Sequence, residues 1–354
     1  MKDNHVTAAE VVACLKSQAI PFERMDIGAN RIILIAQRGG RVFGPFDGEG
    51  ESLFWINEAF KDPAAFDRLI GSGHWNLGGE RFWLNPELAF YCQSPETFDE
   101  TYTVQKGIDP GEYTLSEERG RVRLEQRAAF KHVGRGLELL CNIRRVYQRA
   151  RNPLAYAKGF DASALSYFGY TQEISITDLR GDTPIALEPW LVVQVNPGGR
   201  VIVPYVGDFD FVDYYTPVGD MQQVFPGYVQ LDFSGDRKYK VAYRACATLG
   251  RMGYLRRIKD EYSLMIRNYY NDPSEPYCSE PWGDLGNKGC SMYFYNDDLS
   301  NGGFGEFENG FAPVGQEAGR THSESSTSLW FFQGAAAPIR WAIKALLGVD
   351  YPLF

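Results

Sequence analysis

Apolar and polar residues alternate with a period of two along much of this chain, a pattern typical of strands with one buried face. The alternation occurs, in part, in three long stretches: Arg119–His132, Leu137–Arg149 and Thr171–Leu179. Shorter apolar runs of strand length are RIILIA, ESLFWIN, SMYFYN, GFGEFEN and STSLWFF. These segments predict many short strands that do not alternate with helices as βαβ units do.

Two connections in the middle of the chain carry more specific predictions. EPWLVVQV and RVIVP are separated by the turn NPGG at 196–199, and this arrangement predicts a β-hairpin between the two runs. Further along, Tyr254–Tyr262 is predicted as one strand.

Helices are expected at only a few places. Three are predicted: Thr7–Gln18, Asp62–Leu69 and Ala335–Leu347. The first begins with a capping box of Thr7 and Glu10, and the second has Asp62 as its cap with proline next. The third is closed by Gly348.

These patterns predict the fold class and the domain organisation. The fold class is mainly β, a large antiparallel β-sandwich with a few peripheral helices. Residues 1–30 are predicted to form an N-terminal helix and lead-in, and residues 31–354 a single domain, because no repeat, linker or low-complexity tract interrupts them.

Charge and composition narrow the range of partners. The chain has 36 Lys and Arg against 45 Asp and Glu, a net charge of −9, whereas nucleic-acid binding needs clustered basic residues. No apolar run reaches the roughly 18 residues of a membrane span. We therefore predict no nucleic-acid partner and no membrane partner, and the oligomeric state stays open.

Cysteine spacing and the N-terminal segment bear on the compartment. The six cysteines form no CxxC motif, which favours reduced thiols over a disulfide framework or a zinc site. The N-terminus, MKDNHVTAAEVV, has no apolar signal core. A cytoplasmic location is predicted.

Several catalytic motifs are missing from the sequence. It contains no GxxxxGK[ST], no strand-linked GxGxxG, no HExxH and no GxSxG. With only four histidines, a multi-histidine metal centre is not expected. We predict neither a cofactor nor a catalytic metal. A divalent cation on the acidic loop at Asp297 and Asp298 is the alternative, because oxygen ligands suit calcium.

One short segment, GHWNLGGERFWLNPE, concentrates residues suited to a sugar ring. Five of them are candidates: His74, Trp75, Arg81, Trp83 and Glu87. Indole faces can stack on the apolar side of a pyranose, and arginine offers a rigid fork of donors to hydroxyls or a carboxylate. The alternative is structural: both tryptophans lie in the core and Arg81 pairs with Glu87.

A second candidate segment is YNDDLSNGGFGEFENG. On a strand, Glu306 and Glu308 share one face, and repulsion between them should raise the pKa of one while the other stays ionised. Asn296 precedes a glycine-rich turn in the same segment and is a candidate ligand residue. A solvent-exposed strand edge would give the same alternation.

A third segment, GRTHSESSTSLWFF, places His322 and Glu324 on one strand face. His322 is a candidate substrate-binding residue. A polar face on an outer strand would also explain the pattern.

The order of these motifs resembles that of galactose-mutarotase-like proteins, which fold as a β-supersandwich. GGRVFGPF, SLFWIN and HWNLGGERFWLNPE are similar to the N-terminal half of that group. The chain is more similar still to the DUF6786-type family within it, through PWLVVQVNPGGRVIVP, YVQLDFSGDRKYKVAYRACATLGRMGYL and YNDD…GGFGEFENGFAPV…THSESSTSLWFFQG. The resemblance covers about Arg31 to Val349.

The resemblance implies a carbohydrate ligand, either a small molecule or an oligomer, and acid–base chemistry. Aldose epimerases open and close the sugar ring with a glutamate base at O1 and a histidine acid at the ring oxygen. The late-strand glutamate matches Glu306 or Glu308 in position, and His74 lies near one histidine region of the epimerase pattern. The Asn-His-x-Tyr-Phe motif is absent, and EPWLVVQV with Trp190 occupies its place.

The predicted roles follow from both lines of reasoning. Glu306 is the expected base, His74 the acid, and Glu308 a ligand of a neighbouring hydroxyl. The predicted substrate-binding residues are Arg81, Trp75, Trp83, Glu87, Trp190, Asn296 and His322. A glycan-cleaving hydrolase or lyase on the same scaffold, and a non-catalytic carbohydrate-binding or sensing protein, are the alternatives, because fold alone does not decide chemistry.

Overall fold

Two antiparallel β-sheets make up most of the protein. The computed structural model describes residues 5–47, 50–159, 161–214 and 216–354. The strands within these ranges are β1 (Phe22–Gly28), β2 (Arg31–Ala36), β3 (Val42–Asp47), β4 (Glu80–Asn85), β5 (Thr114–Glu118), β6 (Arg121–His132), β7 (Leu137–Arg149), β8 (Ser166–Asp178), β9 (Glu188–Val195), β10 (Gly199–Pro204), β11 (Phe211–Asp213), β12 (Gln222–Phe225), β13 (Tyr228–Phe233), β14 (Tyr239–Arg244), β15 (Arg251–Ile258), β16 (Glu261–Tyr269), β17 (Cys290–Asn296), β18 (Gly305–Gly310) and β19 (His322–Gly334).

The strands are ordered by long-range pairing rather than by chain sequence. The nine-stranded sheet has the order β1-β2-β3-β4-β9-β18-β17-β14-β11, and the ten-stranded sheet has the order β12-β13-β10-β15-β16-β19-β8-β7-β6-β5. The predicted mainly β, antiparallel sandwich is confirmed.

The main hydrophobic core lies between the two sheets. Phe82 and Phe307 enter it from the nine-stranded sheet, and Tyr170 and Leu329 enter it from the ten-stranded sheet. All four are buried. Burying one large apolar side chain contributes roughly 1.5–3 kcal/mol, so the sandwich interface is the main source of stability.

The helices are α1 (Ala8–Ser17), α2 (Pro63–Gly71), α3 (Glu87–Phe90), α4 (Phe98–Thr101) and α5 (Ala336–Leu347). The three longest, α1, α2 and α5, pack on the outer faces of the sheets. The predicted caps are confirmed: Thr7 and Glu10 form a capping box, the Asp62 side chain accepts from the first turn of α2, and Gly348 closes α5 with φ 73°. No helix in the described ranges is both long and apolar enough to cross a membrane.

The hairpin predicted at 196–199 is wrong. β9 pairs with β4 and β18 in the nine-stranded sheet, whereas β10 pairs with β13 and β15 in the ten-stranded sheet. The NPGG segment is therefore a corner between sheets. Asn196 holds this corner: its side-chain amide donates to the Ser52 carbonyl at 3.2 Å, and its own carbonyl accepts from the Tyr254 hydroxyl at 2.6 Å.

Two strand predictions also need correction. The segment 254–262 belongs to two strands, because the chain turns between Ile258 and Glu261, where Lys259 has φ 56°. The ESLFWIN segment forms isolated bridges and no continuous strand.

The expected boundary between residues 30 and 31 falls within the β1–β2 hairpin, where Gly28 faces Arg31.

Candidate functional site

The candidate site lies on the face of the nine-stranded sheet that points away from the ten-stranded sheet. Strand β4 identifies the two faces. Glu80 points inward, where it accepts hydrogen bonds from Tyr170 at 2.8 Å and Arg267 at 3.2 Å, both in the ten-stranded sheet. Successive side chains of a strand point to opposite faces, so Arg81 and Trp83 point outward.

A row of polar residues crosses the outer face. The register aligns Gln194 of β9 with Glu306 of β18, Glu306 with Tyr295 of β17, and Tyr295 with Lys240 of β14. Directly opposed residues have Cβ atoms roughly 4.5–5.5 Å apart. Four segments that are distant in sequence thus contribute side chains to one patch.

This patch forms the floor of a cleft with a volume of about 200 Å³. Pockets for drug-sized ligands are larger, roughly 300–1,000 Å³, so the cleft suits a ligand of about one ring. Aromatic, charged and amide side chains line it: Trp75, Arg81, Trp83, Glu87, Phe98, Tyr102, Trp190, Lys238, Lys240, Tyr295, Asn301, Phe304 and Glu306.

A larger groove of about 530 Å³ runs over the outer face of the ten-stranded sheet. Its lining includes Arg144, Glu173 and Glu324, and Tyr270 is the one aromatic residue among the described lining residues. Because stacking surfaces and buried polar groups are concentrated in the smaller cleft, we consider that cleft the better candidate for a specific ligand site.

Glu306 is the carboxylate at the floor of the cleft. Its Oε1 accepts from Arg81 Nη2 at 2.9 Å and from Gln194 Nε2 at 3.0 Å. Burial works to lower the pKa of the Arg81 guanidinium, but Glu306 outweighs that effect and the pKa is raised. The Arg81 guanidinium is therefore charged, and both hydrogen bonds fall on one oxygen of Glu306.

Two tryptophans hold the Arg81 guanidinium. Its central carbon lies 4.2 Å from the Trp83 ring centroid and 4.9 Å from that of Trp75, within the range of cation–π contacts. Trp83 is buried in the floor, whereas Trp75 is only half-buried. The structural alternative, an Arg81–Glu87 pair, is not what the structure contains, because Arg81 pairs with Glu306.

A buried ion pair behind the cleft fixes these tryptophans. Asp109 Oδ2 accepts from Trp83 Nε1 at 3.1 Å and from Arg41 Nη2 at 2.6 Å. Arg41 also donates to the backbone carbonyls of Trp75 and Gly78. Arg41 and Asp109 thereby fix both the indole in the floor and the loop that forms one wall.

Glu308 lies beneath the cleft and is fully buried. Its Oε2 accepts from Trp190 Nε1 at 2.8 Å and lies 3.8 Å from Lys240 Nζ. Burial is the largest cause that raises the pKa of Glu308 to about 8; Lys240 opposes the rise, and Glu306 adds to it. A raised pKa in one glutamate of the pair is as predicted, but burial contributes more than repulsion.

Lys240 connects this buried acid to the cleft. Its ammonium donates to Glu87 Oε2 at 2.9 Å and lies 4.7 Å from the Trp190 ring centroid. Desolvation works to lower the pKa of Lys240, but Glu308 and Glu87 outweigh it and the pKa is raised. Lys240 is therefore a cation that lines the cleft.

Six of the predicted residues contribute to the cleft lining: Trp75, Arg81, Trp83, Glu87, Trp190 and Glu306. Glu308 lies directly beneath it. The structure does not place the other three predicted residues, His74, Asn296 and His322, in the lining.

His74 is exposed, and its ring is nearly parallel to that of Trp75, with 6.2 Å between the centroids. Its Nδ1 accepts from the Asn76 backbone amide at 3.1 Å. Desolvation lowers the pKa of His74, which favours the neutral ring at pH 7. The predicted position of His74 beside Glu306 is therefore not observed.

Asn296 and His322 have structural contacts elsewhere. Asn296 is buried, accepts from the Gly235 amide at 3.0 Å and donates to the Arg237 carbonyl at 2.6 Å, so it fixes a neighbouring loop. His322 belongs to the ten-stranded sheet, where it is exposed and contacts Thr177 at 2.8 Å. The sequence placed His322 on a strand face with Glu324, but it did not indicate which sheet that strand would join.

Four further residues of the site were not predicted from the sequence: Lys240, Gln194, Arg41 and Asp109. Lys240 had the most visible signal, because it is a lysine within the otherwise apolar run YKVAY of β14. The others become recognisable only through their partners, which are distant in sequence. No group of three or more His, Cys, Asp or Glu side chains among the described residues could hold a metal ion.

Comparisons with known proteins find solved structures that have low similarity to this chain. No protein-family model matches the chain, and no curated protein sequence matches it. A solved structure entitled "Crystal Structure Analysis of HI1317" shares 11% identity, covers 88% of this chain and 92% of its own, and has a TM-score of 0.46. A 4-alpha-glucanotransferase from Thermococcus litoralis shares 7% identity, covers 88% of this chain and 39% of its own, and has a TM-score of 0.33. At these TM-scores neither likeness carries an argument about function.

Proposed function

We propose that the protein binds a sugar ring in this cleft and interconverts its anomers. The observation that carries the proposal is the carboxylate of Glu306, which lies at the floor of an aromatic-walled cleft and is oriented by Arg81 and Gln194. The resemblance of its segment to the late-strand glutamate of aldose epimerases supports the same role. The functional class is therefore a mutarotase-type isomerase.

The walls of the cleft can contact both the C–H faces and the hydroxyl groups of a pyranose. Trp75, Tyr102 and Phe304 present ring surfaces for C–H groups, while Asn301 and Lys240 supply donors for hydroxyls. Aromatic side chains bury large areas and keep few rotatable bonds, which limits the entropy lost on binding. This combination of faces and donors is what a small polyhydroxylated ring requires.

Glu306 is the proposed base. Because its bonds to Arg81 and Gln194 both fall on Oε1, Oε2 is available to accept the proton of the anomeric hydroxyl. As that proton moves to Glu306, a carbonyl forms at C1 and the bond from C1 to the ring oxygen breaks. Rotation about the C1–C2 bond and reversal of the steps give the other anomer.

Lys240 and Glu308 together are the proposed proton donor to the ring oxygen. The Lys240 ammonium gives its proton to the leaving ring oxygen and takes another from Glu308, whose Oε2 lies 3.8 Å away. The net donor is then Glu308, whose pKa burial raises to about 8. An acid with a pKa near the working pH is the most effective general acid.

Glycan cleavage is less well supported by the same geometry. A glycosidase needs two carboxyl groups that both reach the substrate, about 5–9.5 Å apart. Glu308 is fully buried beneath Trp190 and does not line the cleft. A second candidate function is non-catalytic sugar binding, which is favoured by the location of His74 outside the cleft lining.

The test is exchange between anomers, measured by NMR in a panel of reducing sugars chosen by thermal shift. We expect the wild type to accelerate exchange and Glu306→Gln to lower the rate at least about 100-fold, as removal of a general base does. Glu324→Gln, an exposed glutamate of the other sheet, is the matched control and should not change the rate.

Two outcomes would contradict the proposal in different ways. Unchanged turnover in Glu306→Gln would remove this residue from the mechanism. Sugar binding without accelerated exchange in the wild type would replace the isomerase with the second candidate, a binding protein.

A further inference from the structure

Three residues that line the cleft come from one connection in the nine-stranded sheet. Tyr295 is the penultimate residue of β17, Phe304 directly precedes β18, and Asn301 lies between them. The 297–304 connection therefore contributes one wall of the cleft. Asp297 begins this connection, but it is not among the described lining residues, and its side chain is fully buried.

We infer that Asp297 is a positioning residue, which fixes this wall and sets the orientation in which the Asn301 amide meets the ligand. The inference rests on the proposed sugar-binding function. It adds to that function the group that shapes one side of the site.

The Asp297 carboxylate is the centre of the 297–304 connection. Its Oδ1 accepts from the Tyr295 hydroxyl at 3.1 Å, the Ser300 hydroxyl at 3.1 Å and Asn301 Nδ2 at 3.2 Å. Its Oδ2 accepts from the backbone amides of Asn301 at 3.0 Å and Gly303 at 2.9 Å. Because a buried carboxylate is costly without such partners, both the carboxylate and its donors are held in place.

The backbone of the 297–304 connection needs this support. Leu299 has φ 75°, in the left-handed region that is unfavourable for leucine, and its side chain is mostly exposed. Gly302 has φ 120°, and a Cβ atom there would lie 2.4 Å from the Trp55 ring. The hydrogen bonds to Asp297 therefore stabilise a backbone path that is unfavourable by itself.

The same carboxylate orients the Asn301 amide. Every hydrogen bond of the Asp297 side chain is an accepted one, so the nitrogen of the amide faces the carboxylate. Nδ2 also lies 3.2 Å from Ser300 Oγ on the exposed rim, and Oδ1 accepts from no other described residue. The amide can then meet two neighbouring hydroxyls of a sugar ring, donating to one and accepting from the other.

The wall is also connected to the opposite side of the cleft. The Asn301 backbone carbonyl accepts from Asn76 Nδ2 at 3.1 Å. Asn76 directly follows Trp75, which lines the cleft. A shift of the 297–304 connection would therefore disturb contacts on both sides of a bound ring.

A divalent cation at Asp297 and Asp298 would compete with this role. Calcium takes about six to eight oxygen ligands, whereas both oxygens of Asp297 already accept from N–H and O–H groups. Asp298 is exposed, and its side chain accepts from the Ser300 amide at 3.3 Å. The donors around Asp297 would have to leave before a cation could bind.

The first test is hydrogen exchange measured by mass spectrometry, which needs no ligand. In Asp297→Asn one carboxylate oxygen becomes an amide that donates, so part of the hydrogen-bond set is lost. We expect the backbone amides of 298–304 to exchange at least about tenfold faster than in the wild type, and those of β7 to be unchanged. Asp298→Asn is the matched control, because it removes the same charge from the same connection and should not change this exchange.

Tyr295→Phe keeps this test decisive if Asp297→Asn does not fold. The substitution removes one hydrogen bond to Asp297 and retains the aromatic ring in the wall. Exchange in 298–304 should still be about threefold faster than in the wild type.

The second test is sugar affinity by calorimetry. The probe is whichever of galactose, glucose, mannose and xylose gives the wild type its largest thermal shift. Asn301→Ala and Asp297→Asn should each weaken binding about tenfold, and Asp298→Asn should leave Kd unchanged. The double variant Asp297→Asn/Asn301→Ala should bind within about threefold of Asn301→Ala alone, because Asp297 acts through Asn301.

The outcomes separate this inference from the proposed function. Unchanged exchange in Asp297→Asn would overturn the positioning role, and losses that multiply to about a hundredfold in the double variant would show that Asp297 does not act through Asn301; both leave sugar binding intact. A thermal shift produced by calcium chloride in the wild type and lost in Asp297→Asn would assign the carboxylate to a cation instead. Binding of none of the four sugars would refute the proposed function, and the ligand-binding part of the inference with it.

Discussion

Glu308→Gln tests the electrostatics of the site without any knowledge of the substrate. Burial raises the pKa of this carboxyl from an ordinary 4.5 to about 8. The folded protein therefore holds a proton that the unfolded chain has released over that pH range. Its contribution to the free energy of unfolding is complete below pH 4.5 and is lost as the pH rises through about 8.

The size of the effect follows from the shift. Each pH unit in this window costs about 1.4 kcal/mol, so the wild type should lose roughly 3–4 kcal/mol from this group between pH 5 and pH 8. Glutamine is neutral at every pH and keeps an oxygen that can accept from Trp190. The Glu308→Gln variant should lack this loss and should be the more stable protein at pH 8.

Urea unfolding of both proteins at intervals from pH 5 to pH 9 measures the difference directly. Titrating groups that do not interact with Glu308, including Glu188 with a pKa raised to about 7 by burial, are common to both proteins and cancel in the subtraction. A difference in unfolding free energy that does not change across this range would refute the assignment of Glu308 as a neutral buried acid.

Three further predictions concern other parts of the molecule. Glu80→Gln removes the charge that buried Arg145 and Arg267 share and should lower the unfolding free energy by about 3–5 kcal/mol; a loss below 1 kcal/mol in urea unfolding would contradict it. Trp75→Ala removes one wall of the cleft and should weaken sugar binding at least about tenfold by calorimetry, with little change in Tm, because the side chain is only half-buried. Ellman's reagent should titrate one thiol in the native protein, Cys246, since the other five are buried; rapid reaction of several thiols would argue against this packing.

The sequence predicted the features that depend on neighbouring residues. The capping box of Thr7, the Asp62 cap and the glycine closure at Gly348 are all decided within one or two helical turns, and all three are confirmed. The period-two alternation likewise predicted the sandwich, because a strand with one buried face must pack on a second layer. Composition and cysteine spacing indicated reduced thiols, and the described cysteines are free.

The local sequence pattern did not determine which of the two sheets a strand would join. The turn at 196–199 has the composition of a hairpin, yet it leads from one sheet to the other because β9 and β10 each find other partners on both edges. His322 shares a face with an acidic residue as predicted, but its strand belongs to the sheet away from the cleft.

The candidate site shows the same division between local and long-range information. The residue types of the segment 73–87 and of Glu306 suggested sugar chemistry, and alternation placed Glu306 and Glu308 on one face. Only the tertiary structure decided that Arg81 pairs with Glu306, 225 residues away, and that Lys240 reaches Glu87, 153 residues away. Such pairs depend on the order and register of strands, which are determined by the packing of the whole sandwich rather than by any single segment.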